Sequence, residues 1–560
     1  MRWINTFTIV LCFHRTTGQY TNQILLETLY DRTRQVLTPE FSDYVGRVLN
    51  RNNVPGISLG VVRKDGTFEL GAWGSKTEDG EPVTPDTLFC IGSSSKAFTA
   101  SAIGILMDDF ASGRNTTPLP PGLNSFDWNT KVQDILPGQW GLKDEWASEK
   151  ASIRDILGHV SGVARHDNSY GLLDTPESIV LRLRSLEPYY EIRETWHYNN
   201  MMYIVAAHIV STYTGSFTAF VKERIFDPLN MTSTTYSLSD AVRSGEITQA
   251  WTSIGKGRRV PHWFDDEVNQ LLAGAGGIIS SATDLAKWVV ANLNSGINIQ
   301  TNVTVIPMSA CEEITTAHFV VDGIGRMFFP SDSGVAGYGA GWGRNGLLGY
   351  DMVSHPGGFP GFSSQISFLT VDGVGFVALT NSDGKYDALH DIQKRVYKDA
   401  LGFQENADIV NASVELENET PHSYCALSTS KLPLSPEAYS GTYFSSGYGA
   451  FTLCASSSDS SHCTLVKSDF APLGLDNRPS QLLAAWPSVW SSHLRMTHVD
   501  GNKFTAEFTV LFPHGYGSDE SPFEVKGDQH SVEFMIESGK VVGFELRSNE
   551  GRVDALFEKT

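Results

Sequence analysis

The chain has 560 residues, 41% of them hydrophobic and 19% charged, and a formal net charge of -21. That length exceeds one typical domain, so two folded units are expected. The acidic balance excludes a nucleic-acid binder, which needs a basic surface for phosphate, and no apolar run approaches the roughly 20 residues of a membrane span.

At the N-terminus, "MRWINTFTIVLCF" places Arg2 before an apolar stretch, Ile4 to Phe13, with Thr16 and Gly18 as small residues ahead of Gln19. This reads as a secretory signal over residues 1–18, and hence a secreted protein, with a plain unstructured start as the alternative. Cys12 falls inside it, leaving Cys90, Cys311, Cys425, Cys454 and Cys463. Their scattered spacing is no disulfide framework, although Cys454 and Cys463 suit the stapling of a hairpin. Five N-x-S/T sequons, at Asn115, Asn230, Asn302, Asn411 and Asn418, are about what chance supplies in a chain this rich in Asn, Ser and Thr.

Thr38 as N-cap and Pro39 at the first helical position open the amphipathic "TPEFSDYVGRVLNRN". "PGISLGVVRKDGTFELGAWG" reads as two strands around a Lys64-Asp65-Gly66 turn. Helices are predicted at "SIRDILGHV", "NNMMYIVAAHIVSTYTG" and "SATDLAKWVVANLNSG", the last stopping at Gly296. "SSQISFLTVDGVGFVALTN" is a second hairpin, turning at Asp372-Gly373, and "DALHDIQKRVYKDALGF" a closing helix. This order suits an α+β fold in which both ends of the segment build one antiparallel sheet around an inserted helical lobe. Composition turns polar, acidic and then rich in Ser and Pro over a linker, 404–436. From 437 to 560, short alternating runs broken by Gly, Asp and Asn predict an all-β barrel or sandwich.

The chemistry concentrates in "LFCIGSSSKAFTASAIGIL". If a helix starts near Ser93, then Ser93 and Lys96 share a face and the amine reaches the hydroxyl; Ser94 and Ser95 lack this registry. A serine hydroxyl needs such a proton acceptor to become a nucleophile. S-x-x-K also occurs at Ser253, Ser382 and Ser428, but the first and last open no helix and the middle one holds a turn-forming Asp-Gly between its ends. Ser58, in "GISLG", sits in an apparent strand and reads as structural. Downstream come Tyr198-Asn199-Asn200, a Y-x-N triplet before an apolar helix, and His355-Pro356-Gly357, an H-x-G triplet at a strand start. A second Y-x-N at Tyr20 lies upstream of the nucleophile and is set aside.

In these three motifs and their order the sequence resembles the serine β-lactamase and penicillin-binding-protein superfamily, in particular its class C-like branch. "VTPDTLFCIGSSSKAFTA", "IRDILGHVSGV", "FDPLNMTSTTYS" and "GAGGIISSATDLAKW" look alike as well, and the resemblance covers roughly residues 38 to 403. It implies a catalytic domain over 19–403 with the β-lactamase/transpeptidase-like sheet and helical lobe; the trailing module resembles lipocalin-like C-terminal domains. It further implies that Ser93 attacks a carbonyl to form an acyl-enzyme, with Lys96 and Tyr198 around its oxygen. Tyr198, whose reference pKa is about 10, would serve as base if the Lys96 cation lowered it; alternatively a neutral Lys96 takes the proton and Tyr198 relays it. Asn200 would bond Lys96 and substrate, His355 would stand at the rim, and backbone N–H groups of Ser93 and Gly358 would form the oxyanion hole, with Gly357 and Gly358 admitting substrate closely.

His159 reads as a structural hydrogen-bonder, and Gly274, Gly276 and Gly277 as lining or packing the cleft. No cofactor or metal is implied. His355 and Pro356 depart from the true β-lactamase pattern and point away from antibiotic hydrolysis. The expected function is hydrolysis of an ester or amide in a small-molecule or peptide-like acyl substrate. Peptidases of D-amino acid type, acyl transfer or transesterification in small-metabolite synthesis, and a non-catalytic binding protein that keeps the fold remain as alternatives; the oligomeric state is left open.

Overall fold

The computed structural model describes residues 34–323, 334–403, 432–476 and 478–560. The expected signal, 1–18, and residues 404–431 of the expected linker lie outside the described residues. Helix α1 (Pro39–Asn52) starts where its cap predicts: the Thr38 hydroxyl accepts the Phe41 N–H at 3.2 Å. Strands β1 (Gly56–Arg63) and β2 (Phe68–Gly74) form the first hairpin, its turn closed by Asp65 accepting the Thr67 N–H at 2.9 Å.

The inserted lobe carries α2 (Lys96–Ala111), α3 (Met201–Thr214) and α4 (Ala282–Leu293). The α4 helix ends just before the predicted Gly296, whose N–H still closes back on the Ala291 carbonyl at 2.8 Å. The chain then returns through β3 (Phe319–Asp322), β4 (Ala336–Tyr338), β5 (Gly343–Leu347), β6 (Tyr350–Phe359), β7 (Phe362–Leu369), β8 (Val374–Thr380) and helix α5 (Tyr386–Ala400). The result is an eight-stranded antiparallel sheet in the order β2-β1-β8-β7-β6-β5-β4-β3.

Alternation along β8 explains the layers. Phe376 and Ala378 pack with Ile57 and Leu59 against Phe41 and Val45 of α1 and Ile392 and Val396 of α5. Val377 and Leu379 turn to the other face, where Trp288 and Val289 of α4 cover them. Because both faces are buried, these strands read as unbroken apolar runs. Behind them, Phe98 of α2 stacks on Trp288 at 4.0 Å, which seats the N-terminus of α2 over the sheet.

The C-terminal module is a closed barrel: β9 (Gly441–Ser445), β10 (Gly449–Ala455), β11 (Gln481–Ala485), β12 (His493–Asp500), β13 (Lys503–Phe512), β14 (Phe523–Glu537), β15 (Lys540–Arg547) and β16 (Val553–Lys559). Tyr443, Phe504, Phe534, Phe544 and Phe557 fill it. One expectation is corrected here. Cys454 and Cys463 are joined, but the bridge ties β10 to helix α6 (Ser461–Phe470) rather than closing a hairpin. Leu453 and Ala455 face the barrel interior, so Cys454 between them points outward, against Val466 and Phe470 of α6.

The barrel docks on the lobe through the 486–491 loop. The Val489 N–H donates to the Tyr170 carbonyl at 3.1 Å, and Trp486 Nε1 to the Asn168 carbonyl at 3.2 Å. No single described helix is long and apolar enough to cross a membrane.

Candidate active site

Three serines in a row have three different fates. Phe89–Cys90 pairs with Ile279–Ser280, and Gly92, at φ 51°, then turns the chain into a tight turn, Gly92–Ser95, that runs into α2. A Cβ on Gly92 would run into the Gly358 carbonyl, so only glycine lets Ser93 lie this close to β6. Ser93 borders a cleft of about 380 Å³. Ser94 is buried, its hydroxyl 3.0 Å from Ser364 Oγ and donating to the His355 carbonyl at 3.2 Å. Ser95 accepts the Ile278 N–H at 3.2 Å. Of the three hydroxyls, Ser93 alone opens to the cleft.

Lys96 is fully buried. Its Nζ lies 2.8 Å from Asn200 Oδ1, 2.7 Å from the Ala275 carbonyl and 3.1 Å from Ser93 Oγ. Burial drives its pKa well below lysine's ordinary range; the Asp167 carboxylate opposes this and the Arg165 guanidinium adds to it. The Asn200 amide is oriented by its own Nδ2, which donates to Asp167 at 3.1 Å, so the oxygen faces the amine. A neutral amine has two N–H donors and one lone pair. The Asn200 and Ala275 oxygens can only accept, which leaves the lone pair for the Ser93 O–H.

The Tyr198 ring centroid lies 4.7 Å from Lys96 Nζ. His159 packs on it with centroids 4.4 Å apart, and Trp196 at 5.9 Å. The Tyr198 hydroxyl is buried and makes no hydrogen bond of strict geometry among the described residues. Burial pushes its pKa up, opposed first by the neighbouring Ser93 hydroxyl and then by Arg165. Burial thus works against the lowering of Tyr198 that a Lys96 cation would give, and it disfavours that cation too, which agrees with the alternative of a neutral Lys96 with Tyr198 as relay. His159 is structural, its Nδ1 accepting the Asn199 N–H at 3.1 Å. Asn199, not Asn200, caps α3 by accepting the Met202 N–H at 3.2 Å, which frees Asn200 for Lys96.

Two of the predicted substrate-binding residues lie elsewhere. His355 is buried behind the cleft, with Nε2 3.0 Å from Tyr338 Oη and Nδ1 2.6 Å from the Pro356 carbonyl. Burial, with Lys96 adding to it, lowers its pKa to about 3. Gly357 is pressed against the Ile91 carbonyl and Ser364, so its lack of a side chain serves packing between β6 and the serine turn. Gly358 does border the cleft, under the Tyr386 hydroxyl. Gly276 borders it too, while Gly274 and Gly277 pack against Tyr203 and Ala273.

The structure also adds residues that motif spacing did not single out. Asp167 accepts from Arg165 at 2.6 Å, from Asn200 and, at 3.0 Å, from Tyr170 Oη. Trp490 of the barrel donates its Nε1–H to Tyr170 Oη at 2.9 Å. A continuous chain of hydrogen bonds thus runs from the barrel through Tyr170, Asp167 and Asn200 to Lys96. The polar turn "ARHDNSY" is the only trace of this in the sequence, and Trp490 left none. Tyr170→Phe removes two of these bonds; it is expected to lower kcat/KM about 3- to 10-fold. It also frees the Asp167 charge to favour protonated Lys96, so the acidic limb of the pH–rate profile moves upward, which steady-state kinetics across pH will measure.

The beta-lactamase family model matches residues 41–397. The chain belongs to the β-lactamase family. Among the relatives of this β-lactamase-family protein, an unguisins hydrolase of Aspergillus campestris is 31% identical over 366 residues, 63% of this chain and 62% of that protein's length. An unguisins hydrolase of Aspergillus violaceofuscus is 28% identical over 521 residues, covering 86% of this chain and 85% of that one. The octameric penicillin-binding protein homologue from Pyrococcus abyssi aligns with a TM-score of 0.52 at 17% identity, over 93% of this chain and 99% of its own. The D-amino acid amidase from Ochrobactrum anthropi aligns at 0.51 and 20% identity, over 64% of this chain and 98% of its own. These two likenesses bear on the fold.

Proposed function

We propose that this β-lactamase-family protein is a serine hydrolase that forms an acyl-enzyme on Ser93 and cleaves an amide or ester. The observation that carries the reading is the Lys96 amine, fully buried and 3.1 Å from Ser93 Oγ, with its other two partners able only to accept and burial favouring its neutral form. Lys96 takes the Ser93 proton as Oγ bonds to the substrate carbonyl carbon. Ser93 and Gly358 both line the cleft, and their backbone N–H groups serve in this reading as the oxyanion donors, one of which is worth about 3–4 kcal/mol in the transition state. The carbon–nitrogen or carbon–oxygen bond then breaks. Tyr198, kept as a phenol, hands a proton to the leaving group and recovers one from the Lys96 ammonium. Water, deprotonated by Lys96, releases the acid and restores Ser93.

The relatives named as hydrolases support water as the acceptor. The Cys454–Cys463 disulfide supports a secreted location, because such bridges persist in oxidising compartments. The test is a fluorophosphonate probe on the folded protein followed by peptide mapping. An adduct is expected on Ser93 and none on Ser94 or Ser95. A folded protein without a Ser93 adduct overturns the proposal and returns the chain to the reading as a binding protein.

A further inference from the structure

The cleft in front of Ser93 is built by both halves of the molecule. Trp263, Leu272 and Phe359 enter it from the catalytic domain, and Trp490, Phe508 and Val525 from the barrel. Phe359 directly follows Gly358, so this apolar wall begins one residue from the oxyanion site. Phe264 locks its two halves together: its ring meets Phe359 at 4.8 Å and Trp490 at 5.1 Å, edge to face in both cases. Charged side chains line the same cleft, Asp167, Asp383 and Asp528 beside Arg165 and Lys526. Neither cation is at liberty. Arg165 is held by Asp167 at 2.6 Å, and Lys526 lies 3.3 Å from Glu507 and 3.7 Å from Glu524.

We infer that this wall is a specificity subsite, completed by the barrel, for a bulky apolar side chain beside the scissile bond of an uncharged, end-blocked peptide-like substrate. The inference rests on the acyl-enzyme reading above and names the substrate class for that same site. An apolar wall rewards each buried methylene, and a difference as large as benzyl against methyl is commonly worth tenfold or more in kcat/KM. A carboxylate entering the cleft meets three acidic side chains and finds both cations already paired, so it loses its hydration without gaining a partner.

The test compares racemic N-acetyl-phenylalanine p-nitroanilide, its alanine counterpart, and N-succinyl-phenylalanine p-nitroanilide on the full chain. The phenylalanine compound is expected to exceed the alanine one by about tenfold or more in kcat/KM, and the succinyl compound to fall several-fold below the acetyl one. In Trp490→Ala and Val525→Ser the phenylalanine-to-alanine ratio drops below about threefold, whatever the absolute rates. Trp490→Phe, which keeps a ring but loses the N–H donated to Tyr170, restores the ratio while remaining slower in kcat. Should one variant fail to fold, the other reads the same ratio. Equal use of the two acetyl compounds by the unmodified protein, or an unchanged ratio in the folded variants, overturns the subsite; a succinyl compound used as well as the acetyl one overturns the exclusion of charge. Binding of the two acetyl compounds to Ser93→Ala, by calorimetry, separates the two readings. Turnover that survives Ser93→Ala refutes the acyl-enzyme, whereas loss of the phenylalanine preference in binding refutes the subsite alone. Where neither anilide is turned over, the binding ratio decides.

Discussion

Replacing Ser93 with alanine is expected to lower kcat/KM by about ten thousand-fold or more, the scale seen when a serine nucleophile is removed from a preorganised site. What little remains comes from the oxyanion donors and from binding. Ser93 is only partly covered and its hydroxyl supports no element of the fold, so the melting temperature should stay within a degree or two. The neighbouring substitution behaves oppositely. Ser94→Ala leaves the nucleophile in place but removes the hydroxyl that ties the serine turn to the His355 carbonyl and Ser364. It is expected to cost about 1 kcal/mol of stability with a far smaller kinetic effect. Initial rates with a chromogenic ester and thermal melts of both variants will distinguish them. Comparable kinetic losses in the two would mean that the wrong hydroxyl has been assigned.

Lys96→Met is expected to cost about a thousand-fold or more in kcat, because it removes the amine that lies 3.1 Å from Ser93 Oγ. The pH dependence provides a second signature. The amine works when neutral, so activity is lost as pH falls through the Lys96 pKa, and that limb lies well below lysine's usual 10.5. Stability carries the same signature. The unfolded chain holds a proton on this amine up to about pH 10.5, and the folded chain gives it up at a lower pH. Unfolding therefore takes up a proton, and stability rises with pH between the lowered folded pKa and lysine's ordinary one. Urea denaturation at about pH 7 and about pH 9 should show this rise in the unmodified protein and a smaller one in Lys96→Met. Equal slopes would mean that Lys96 remains charged in the folded state.

Much of the framework was legible because it is local. Thr38 and Pro39 start α1, Asp65 and Asp372 mark two hairpin turns, and the three-residue spacing of Ser93 and Lys96 survives a tight turn at the start of α2. Asn200 was legible as a partner of Lys96 through the family resemblance that the Y-x-N triplet carries, and it sits at the head of α3. His355 was misread because motif order says which strand carries it but not that Tyr338, from a neighbouring part of the sheet, takes its outer nitrogen. The choice between Tyr198 as base and as relay was not legible: its pKa depends on how completely His159, Trp196 and Tyr338 bury the site, and no spacing records that. The least legible residue was Trp490, which meets Tyr170 across 320 positions of sequence. The disulfide was half legible, since the spacing suggested a bond but not the intervening helix.

Residues 486–491 hydrogen-bond the turn that carries Asp167 and supply Trp490 to the apolar wall, so substrate preference and proton handling share a single joint. Grafting a different barrel onto the same catalytic half would not transfer selectivity alone. The hybrid would inherit a new preference and a retuned base together, and directed changes to either property would have to be screened for the other.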